Sequence, residues 1–224
     1  MSRLYFFWSH PEAGRIRLAL GYKGMSCAQV PVAYDDDVTF FDLGIARHGL
    51  VYQADSGQLH TDSLALLAQA DQEWSGPPLW TGQIDAATWA ALTDWRQRAE
   101  PMLARLYAPV RPAYQDIGLQ EDVLAAYKRE VQDRFGLSLE ELANDRYDAY
   151  AQLDKLTGFR RLGSYLAERR FYSGTLSVAD LLLAADLFPL QILDGITVPV
   201  DLMYYFERVE QACHVSLREG LLIS

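Results

Sequence analysis

Cysteine is scarce in this chain, with only Cys27 and Cys213 among 224 residues. Two cysteines cannot build the disulfide framework of a small secreted domain, and they stand in no cluster with the spacing of metal ligands. The scarcity therefore favours a reducing compartment and predicts a protein that holds no metal.

The chain also lacks a hydrophobic run long enough to cross a membrane. The longest apolar stretch, 178–190, is interrupted by Asp180 and Asp186 and is shorter than the roughly 20 residues that a membrane span needs. The apolar segment 4–8 is too short for a signal peptide, and no small-residue cleavage site follows it. These features predict a soluble, cytoplasmic protein with no membrane partner.

Basic residues are fewer than acidic ones: the chain has 20 lysines and arginines and 30 aspartates and glutamates, which gives a net charge of -10. Such a surface repels a polyanion at long range, so we expect no nucleic-acid partner. Hydrophobic residues are plentiful, at 50% of the chain. This share excludes a disordered protein and predicts a buried core.

The first part of the chain alternates short strand and helix patterns. Residues 4–8 form a continuous aromatic and aliphatic run, which predicts a central strand. A helix then begins, with Ser9 as its N-cap, Pro11 in its first turn and Glu12 as the capping-box partner. Gly24 predicts its end, because glycine readily adopts the positive φ of a helix C-terminus.

Shorter elements follow this helix. A second strand is expected at about 28–32, and an acidic, irregular stretch at 35–49. Two short strands at 51–53 and 58–59, joined by Asp55-Ser56-Gly57, predict a hairpin. The sequence Thr61-Asp62-Ser63 opens another helix. The strand and helix order is that of a small α/β unit.

The strand signals end at Trp74-Ser75-Gly76-Pro77-Pro78, and after this point the pattern is helical. We therefore predict an α/β part at 1–75, a linker at 76–85 and an all-α part at 86–224. The helices of the second part are expected at roughly 86–107, 120–135, 145–170, 178–187 and 201–213.

The most distinctive pattern of the second part is Gly174-Thr175-Leu176-Ser177-Val178-Ala179-Asp180, which precedes an almost wholly apolar helix. Ser177 is placed to cap this helix, and Asp180 to return a hydrogen bond to the cap backbone. A catalytic duty for Asp180 is the alternative. A carboxylate at this position also interacts favourably with the helix dipole, so we expect a structural role.

Taken in order, these patterns resemble those of the glutathione-transferase superfamily and, within it, the glutaredoxin 2 type. The resemblance depends on the helix after the first strand, on Asp62-Ser63 and on Ser177 to Asp180. It extends to the linker sequence 76–82 and to the segments 187–190 and 194–199. It implies a thioredoxin-like N-terminal domain at 1–75 that binds glutathione, as substrate or ligand, and an all-helical glutathione-transferase C-terminal domain.

The sequence departs from the glutaredoxin 2 pattern where that family has Cys-Pro-x-Cys. Here the matching residues are His10-Pro11-Glu12-Ala13, and disulfide exchange requires a thiolate. Cys27 lies too far along the chain to substitute. We therefore do not expect a dithiol glutaredoxin.

A second departure concerns the loop before the hairpin, where the superfamily has a cis-proline whose neighbouring backbone pairs with glutathione. The matching residue here is Leu50 or Val51. A cis peptide without proline costs about 3 kcal/mol, so either the loop is strained or its shape has changed. Backbone recognition of glutathione is expected at Leu50 and Val51 if the loop keeps its shape.

Asp62 and Ser63 match the acidic-serine pair that holds the γ-glutamyl end of glutathione in the superfamily. A carboxylate is suited to the ligand ammonium, and a serine hydroxyl with helix N-terminal amides is suited to the ligand carboxylate. Aspartate and serine are also ordinary N-cap residues. The resemblance favours ligand binding over simple capping.

Ser9 and His10 are the candidate catalytic residues, since the resemblance places one of them beside the glutathione sulfur. The positive end of the helix helps to hold that sulfur as a thiolate. A histidine at this end is disfavoured as a cation and is expected to act as a neutral donor. The alternative is that Ser9 only caps the helix and His10 is a partly exposed first-turn residue.

Two function classes follow from these features. The first is a glutathione S-transferase-like enzyme that transfers glutathione to a small hydrophobic electrophile, with Trp8, Tyr107, Tyr114 and Phe171 either lining the second-substrate pocket or belonging to the core. The second is a non-catalytic binding or interaction protein of the same fold, since a fold does not establish an activity. A homodimer is compatible with both.

Overall fold

The computed structural model describes residues 1–222, and its N-terminal part is built on one small mixed sheet. The strands are β1 (Arg3–Phe6), β2 (Ala28–Pro31), β3 (Leu50–Gln53) and β4 (Leu59–His60), in the order β2-β1-β3-β4. β1 is parallel to β2 and antiparallel to β3, and β3 and β4 form the predicted hairpin. The aromatic run thus supplies a central strand, as predicted.

Three helices accompany the sheet: α1 (Pro11–Lys23), α2 (Asp37–Asp42) and α3 (Ser63–Glu73). α1 begins at Pro11, whose ring presets a helical φ and whose missing N–H is not needed in the first turn. It ends at Gly24, which has the left-handed φ of 66°.

The predicted capping of α1 is wrong. The N-cap residue is His10, and its side chain makes no capping hydrogen bond. The Ser9 hydroxyl instead donates to Asp116, 2.6 Å away, because a buried carboxylate from the helical part competes successfully for it. Sequence spacing alone gives no sign of this distant partner.

The stretch predicted to be irregular contains the short helix α2. Its N-cap is Asp36, whose carboxylate accepts hydrogen bonds from the backbone N–H and the hydroxyl of Thr39. Phe40 is the buried residue of this helix. One buried residue in six cannot produce a visible helical period, which explains why the pattern was missed.

The remaining helices are α4 (Ala86–Tyr107), α5 (Gln115–Gly118), α6 (Glu121–Phe135), α7 (Leu139–Asn144), α8 (Arg146–Thr157), α9 (Phe159–Ala167), α10 (Val178–Leu187) and α11 (Val200–Cys213). Those at 86–107 and 178–187 have the predicted bounds. The single helix expected at 145–170 is two helices, because Gly158 adopts a φ of 65° between them. The short helices α5 and α7 were not predicted.

The capping box of α10 is present. The Asp180 carboxylate accepts from the Ser177 N–H at 2.8 Å, and also from the Tyr172 N–H and the Tyr205 hydroxyl at 2.7 Å each. Asp180 is fully buried. It therefore joins three segments of the core, and every bond supports the predicted structural role.

Asp71 fixes the chain where it leaves the sheet part. Its carboxylate accepts from the backbone N–H groups of Leu79, Trp80 and Thr81 and from Lys23 Nζ, at 2.7 to 3.0 Å. Burial raises the pKa of Asp71, but these hydrogen bonds outweigh that effect and hold the pKa well below its usual range.

Helix α1 packs closely against the helical part. At Gly14 a Cβ would lie 3.2 Å from Ala185 Cβ on α10, and at Gly21 it would overlap the Cys213 carbonyl oxygen at the end of α11. The two glycines therefore allow the backbones to approach and place the start of α1 against α10. Among residues 1–222, no helix has the length and hydrophobicity to cross a bilayer.

Candidate functional site

A cavity of about 250 Å³ opens where the start of α1 faces α4, α6 and α10. His10 and Tyr107 border it, together with apolar atoms of Trp95, Leu103 and Ala104. Its charged lining consists of Glu12, Arg15, Arg96, Glu100, Arg111, Arg134 and Asp186. The cavity thus joins the predicted catalytic position to the helical part.

The His10 ring lies against the loop that precedes β3. A Cβ added at Gly49 would meet the ring carbons and Nδ1 of His10, so glycine is required at this contact. Nδ1 is buried and bonds to no group of residues 1–222, and Glu12 Oε2 is 3.8 Å from it. The ring therefore covers the backbone next to Leu50, where the resemblance places glutathione recognition.

His10 is held as a neutral imidazole. Burial, and then the positive charges of Arg111 and Arg15, lower the pKa of His10 to about 3. The sequence-based expectation of a neutral histidine agrees with this direction. The positive charges of Arg111 and Arg15 favour an anion beside the ring, whereas burial opposes a charge of either sign there.

Ser9 points away from the cavity and into the interface between the two parts. Its N–H and its hydroxyl both donate to the Asp116 carboxylate, at 3.1 and 2.6 Å. Both residues are buried. In this arrangement Ser9 docks α5 onto the loop before α1.

Ser63 belongs to a bonded network at the edge of the cavity. Its hydroxyl donates to Glu12 Oε1 and accepts from Arg15 Nη1, each at 3.1 Å. The side chain is fully buried. Its bonding capacity towards a ligand is therefore already used within the protein.

Asp186 connects the two parts of the molecule. One of its oxygens accepts from Arg15 of α1 at 2.7 Å, and the other accepts from Arg96 of α4 at 2.8 Å. The three side chains are between 10% and 15% exposed. The ion pairs thus form one wall of the cavity.

The other predicted glutathione-binding residues lie on the sheet side. Asp62 is exposed and caps α3, with Oδ1 accepting from the N–H groups of Leu64 and Ala65. Leu50 and Val51 are the first residues of β3, and their side chains are fully buried. Only their backbone is available to a ligand, and every peptide bond of residues 1–222 is trans.

The four aromatic residues suggested for a second-substrate pocket separate into two groups. Tyr107 borders the cavity, while its hydroxyl donates to the backbone carbonyl of Asp186. Trp8 is half-buried, and Arg17 lies 4.5 Å above its ring. Tyr114 and Phe171 are buried. Only Tyr107 lines this cavity.

Both cysteines lie far from the cavity. Cys27 directly precedes β2, whose start pairs with the start of β1, whereas the cavity lies beyond the end of β1. Cys213 ends α11 and contacts Gly21 in the last part of α1. Burial raises the pKa of both thiols.

Sequence reasoning missed the charged residues of the cavity. A second carboxylate in α10, besides the capping Asp180, was the available signal for Asp186, since a buried charge requires a partner. Arg15 and Arg96 are those partners. No local pattern marks Arg111 and Arg134, because all they have in common is that they line the same cavity in the folded protein. No three His, Cys, Asp or Glu side chains within residues 1–222 are grouped to hold a metal ion.

The family comparison matches residues 91–220 to the model of the glutaredoxin 2 C-terminal domain. No curated protein sequence matches the chain significantly. The predicted resemblance is confirmed over the helical part of the chain.

Solved structures confirm the predicted fold. Glutaredoxin 2 from Salmonella typhimurium in complex with glutathione is 18% identical, with a TM-score of 0.76 over 97% of this chain and 96% of that one. A glutathione S-transferase of Ceriporiopsis subvermispora, also in complex with glutathione, is 15% identical, with a TM-score of 0.69 over 95% of this chain and 96% of that one. A glutathione S-transferase from Methylobacillus flagellatus with glutathione bound is 18% identical, with a TM-score of 0.56 over 95% of this chain and 98% of that one.

Proposed function

Because this chain belongs to the glutaredoxin 2 family by its C-terminal domain, we propose that it binds glutathione between the starts of α1 and α3, beside the cavity, and transfers it to an electrophile. The observation that carries the proposal is the neutral His10, which lies on the cavity wall beside Arg15 and Arg111. This combination supplies a hydrogen-bond donor and a positive field where a thiolate would sit.

The γ-glutamyl end of glutathione is assigned to the start of α3. Asp62 uses Oδ1 for capping, which leaves Oδ2 for the ligand ammonium. The Ser63 hydroxyl reaches the ligand carboxylate by exchanging its bond to Glu12. The backbone at Leu50 and Val51 is assigned to the cysteinyl group, next to the His10 ring.

The sulfur chemistry is assigned to His10. A neutral imidazole donates through Nε2 to the glutathione thiolate, and the positive end of α1 lowers the pKa of the thiol. The thiolate then forms a bond to the electrophilic carbon, and the leaving group departs with its electron pair. Ser9 supports this arrangement through Asp116 and does not contact the sulfur.

Dithiol exchange is not part of the proposal. The first helix begins with His10 and Pro11, without the two cysteines of the glutaredoxin motif. Cys27 and Cys213 are at the opposite end of α1, and their raised pKa values disfavour the thiolate. We expect no glutathione-dependent reduction of a mixed disulfide above background.

A non-catalytic binding protein is the second candidate. It is favoured by the bonds of Ser63 to Glu12 and Arg15, which fill the site without a ligand, and by the His10 ring that covers Gly49. Such a protein need not bind glutathione. Glutathione affinity therefore separates the two candidates.

Replacing Asp62 with asparagine tests the ligand site. Asn is as good an N-cap as Asp, so Asp62→Asn should melt like the wild type. The loss of the charged partner of the ligand ammonium should weaken glutathione binding at least about tenfold, the effect of a contact worth about 1.5 to 3 kcal/mol. Calorimetry with millimolar glutathione measures this.

Asp85→Asn is the matched control, because Asp85 caps α4 with the same kind of bond and α4 starts at a position that is assigned no part of glutathione. It should leave glutathione affinity unchanged. Equal glutathione affinities of wild type and Asp62→Asn, or no glutathione binding by the wild type, would refute the proposed glutathione site.

Replacing His10 with alanine tests the sulfur chemistry. The rate of conjugation should fall about tenfold or more, as expected for the loss of a hydrogen bond to a charged group. Glutathione affinity should change little, because Asp62 is intact. Since the pKa of His10 is about 3, the wild-type rate should show no histidine titration near pH 6.5. Stopped-flow measurements of the conjugation rate at pH values on both sides of 6.5 test this expectation. Full activity of His10→Ala would refute the assignment of the sulfur chemistry to His10.

A further inference from the structure

We propose that the second substrate is an anion: an electrophile with an apolar body and a carboxylate, which Arg111 and Arg134 bind at the α6 end of the cavity. The proposal rests on the proposed glutathione transfer and names the class of acceptor. It adds a negative charge to the hydrophobic electrophile expected from the sequence.

The four arginines of the cavity differ in their partners. Arg15 and Arg96 share Asp186, and Arg15 also contacts Glu12. Within residues 1–222, no carboxylate oxygen lies within 4.0 Å of Arg111 or Arg134. Two cations thus face the cavity without an ion pair.

The position of these two cations is fixed by secondary structure. Arg111 starts the 3₁₀ turn Arg111–Ala113 just after α4, and Arg134 lies in the last turn of α6. Both also border a small adjoining cavity of about 20 Å³, together with Tyr34 and Tyr127. They therefore lie side by side at one end of the larger cavity.

Of the two nearby carboxylates, Glu130 is already engaged and Glu100 is not. Glu130, which borders the small cavity, accepts from the Tyr34 hydroxyl at 2.8 Å and from Arg47 at 3.2 Å. Glu100 lines the larger cavity from α4, is exposed and forms no ion pair within residues 1–222, but it does not border the small cavity. The α6 end thus has positive charge in excess, which suits a carboxylate.

The rest of the cavity suits an apolar body. Trp95, Leu103, Ala104 and Tyr107 line it from α4. An acceptor whose carboxylate contacts Arg111 and Arg134 is bound with its body against these side chains and close to His10, because Arg111 lies near the His10 ring. Its reactive carbon then lies near the thiolate that His10 is proposed to hold.

The acceptor class is tested with two matched probes, chlorodinitrobenzoate with the carboxylate para to chlorine and the corresponding neutral benzamide. In both, the glutathione sulfur bonds to the ring carbon, and the carbon–chlorine bond breaks with loss of chloride. Rates are corrected for the uncatalysed reaction. We expect KM for the benzoate to be at least about tenfold lower than for the benzamide, from one or two charge-assisted contacts.

Arg134→Gln should raise KM for the benzoate about tenfold and leave KM for the benzamide unchanged. Arg111→Gln should raise KM for the benzoate more than KM for the benzamide, because Arg111 also contributes to the positive field at the thiolate. Arg129→Gln is the control, because it removes an exposed arginine of the same helix α6 that does not border the cavity. Equal KM values for the two probes, or equal effects of the variants on both, would overturn the proposal.

Binding without turnover separates this inference from the proposed function. Dinitrobenzoate and dinitrobenzamide, which lack the chlorine, are titrated calorimetrically at saturating glutathione. Preferential binding of the benzoate, lost in Arg134→Gln, supports the anion site even where no conjugate forms. Conjugation of both probes without this preference supports the transferase and refutes the anion site.

Discussion

At the scale of single residues, a buried carboxylate sets the geometry before α1. Asp116 is 5% exposed and holds both the N–H and the hydroxyl of Ser9. Burial raises its pKa to about 6, although the hydrogen bonds from Ser9 and the charge of Arg111 oppose the shift. The folded protein therefore holds this carboxylate at a cost near neutral pH.

The raised pKa of Asp116 predicts a stability that depends on pH. Between the unfolded value of 3.8 and about 6, the folded state binds more protons than the unfolded state. The contribution of Asp116 to stability should therefore increase as the pH falls from 7 to 4, by about 2 to 3 kcal/mol relative to Asp116→Asn. Urea denaturation of both proteins across this range measures the difference.

Asp133→Asn controls for the change in net charge, since Asp133 is exposed on α6. Its stability relative to the wild type should not follow the same curve. A constant difference between wild type and Asp116→Asn from pH 7 to 4 would contradict the raised pKa.

At the scale of elements, the close packing of α1 depends on glycine. A Cβ at position 21 would overlap the carbonyl oxygen of Cys213. This oxygen belongs to the backbone and cannot easily move away. Gly21→Ala should therefore lower the free energy of unfolding by about 1 to 3 kcal/mol, despite the better helix propensity of alanine. Thermal and urea melts measure the loss.

Gly163 of α9 provides the matched control. A Cβ at this position meets Pro199 at 3.4 Å, an ordinary contact. Gly163→Ala should therefore be neutral or stabilising by up to about 1 kcal/mol. If both alanine variants are equally stable, the close approach of α1 and α11 is not what limits position 21.

At the scale of the whole molecule, Asp186 couples the sheet part to the helical part. Asp186→Ala leaves Arg15 and Arg96, which are 12% and 15% exposed, without their shared partner. Removing one member of a buried charge network typically costs about 3 to 5 kcal/mol. We therefore expect Asp186→Ala to unfold cooperatively at a lower temperature and a lower urea concentration than the wild type, as measured by calorimetry and urea denaturation.

Asp94→Ala is the control on the same helix as Arg96. Asp94 is 66% exposed and pairs with Arg98 on the surface. Its removal should change the unfolding free energy by no more than about 1 kcal/mol. Comparable losses in the two variants would show that the Asp186 pairs do not hold the parts together.

The sequence by itself determined the features that depend on neighbouring residues. The bounds of α4 and α10, the end of α1 at Gly24 and the capping of α10 by Ser177 and Asp180 all follow from spacings of three or four residues. Such signals act within one helical turn and need no partner from another element. The order of these elements also identified the family.

Only the tertiary structure decided the chemistry of the cavity. Ser9 bonds to Asp116, which lies 107 positions along the chain, instead of capping its own helix. Arg111 and Arg134 become neighbouring cations, without an ion pair in the part of the chain that the structure describes, only when the end of α4 meets the end of α6. The physical reason is that burial and long-range pairing depend on which surfaces pack together, and no local spacing records that choice.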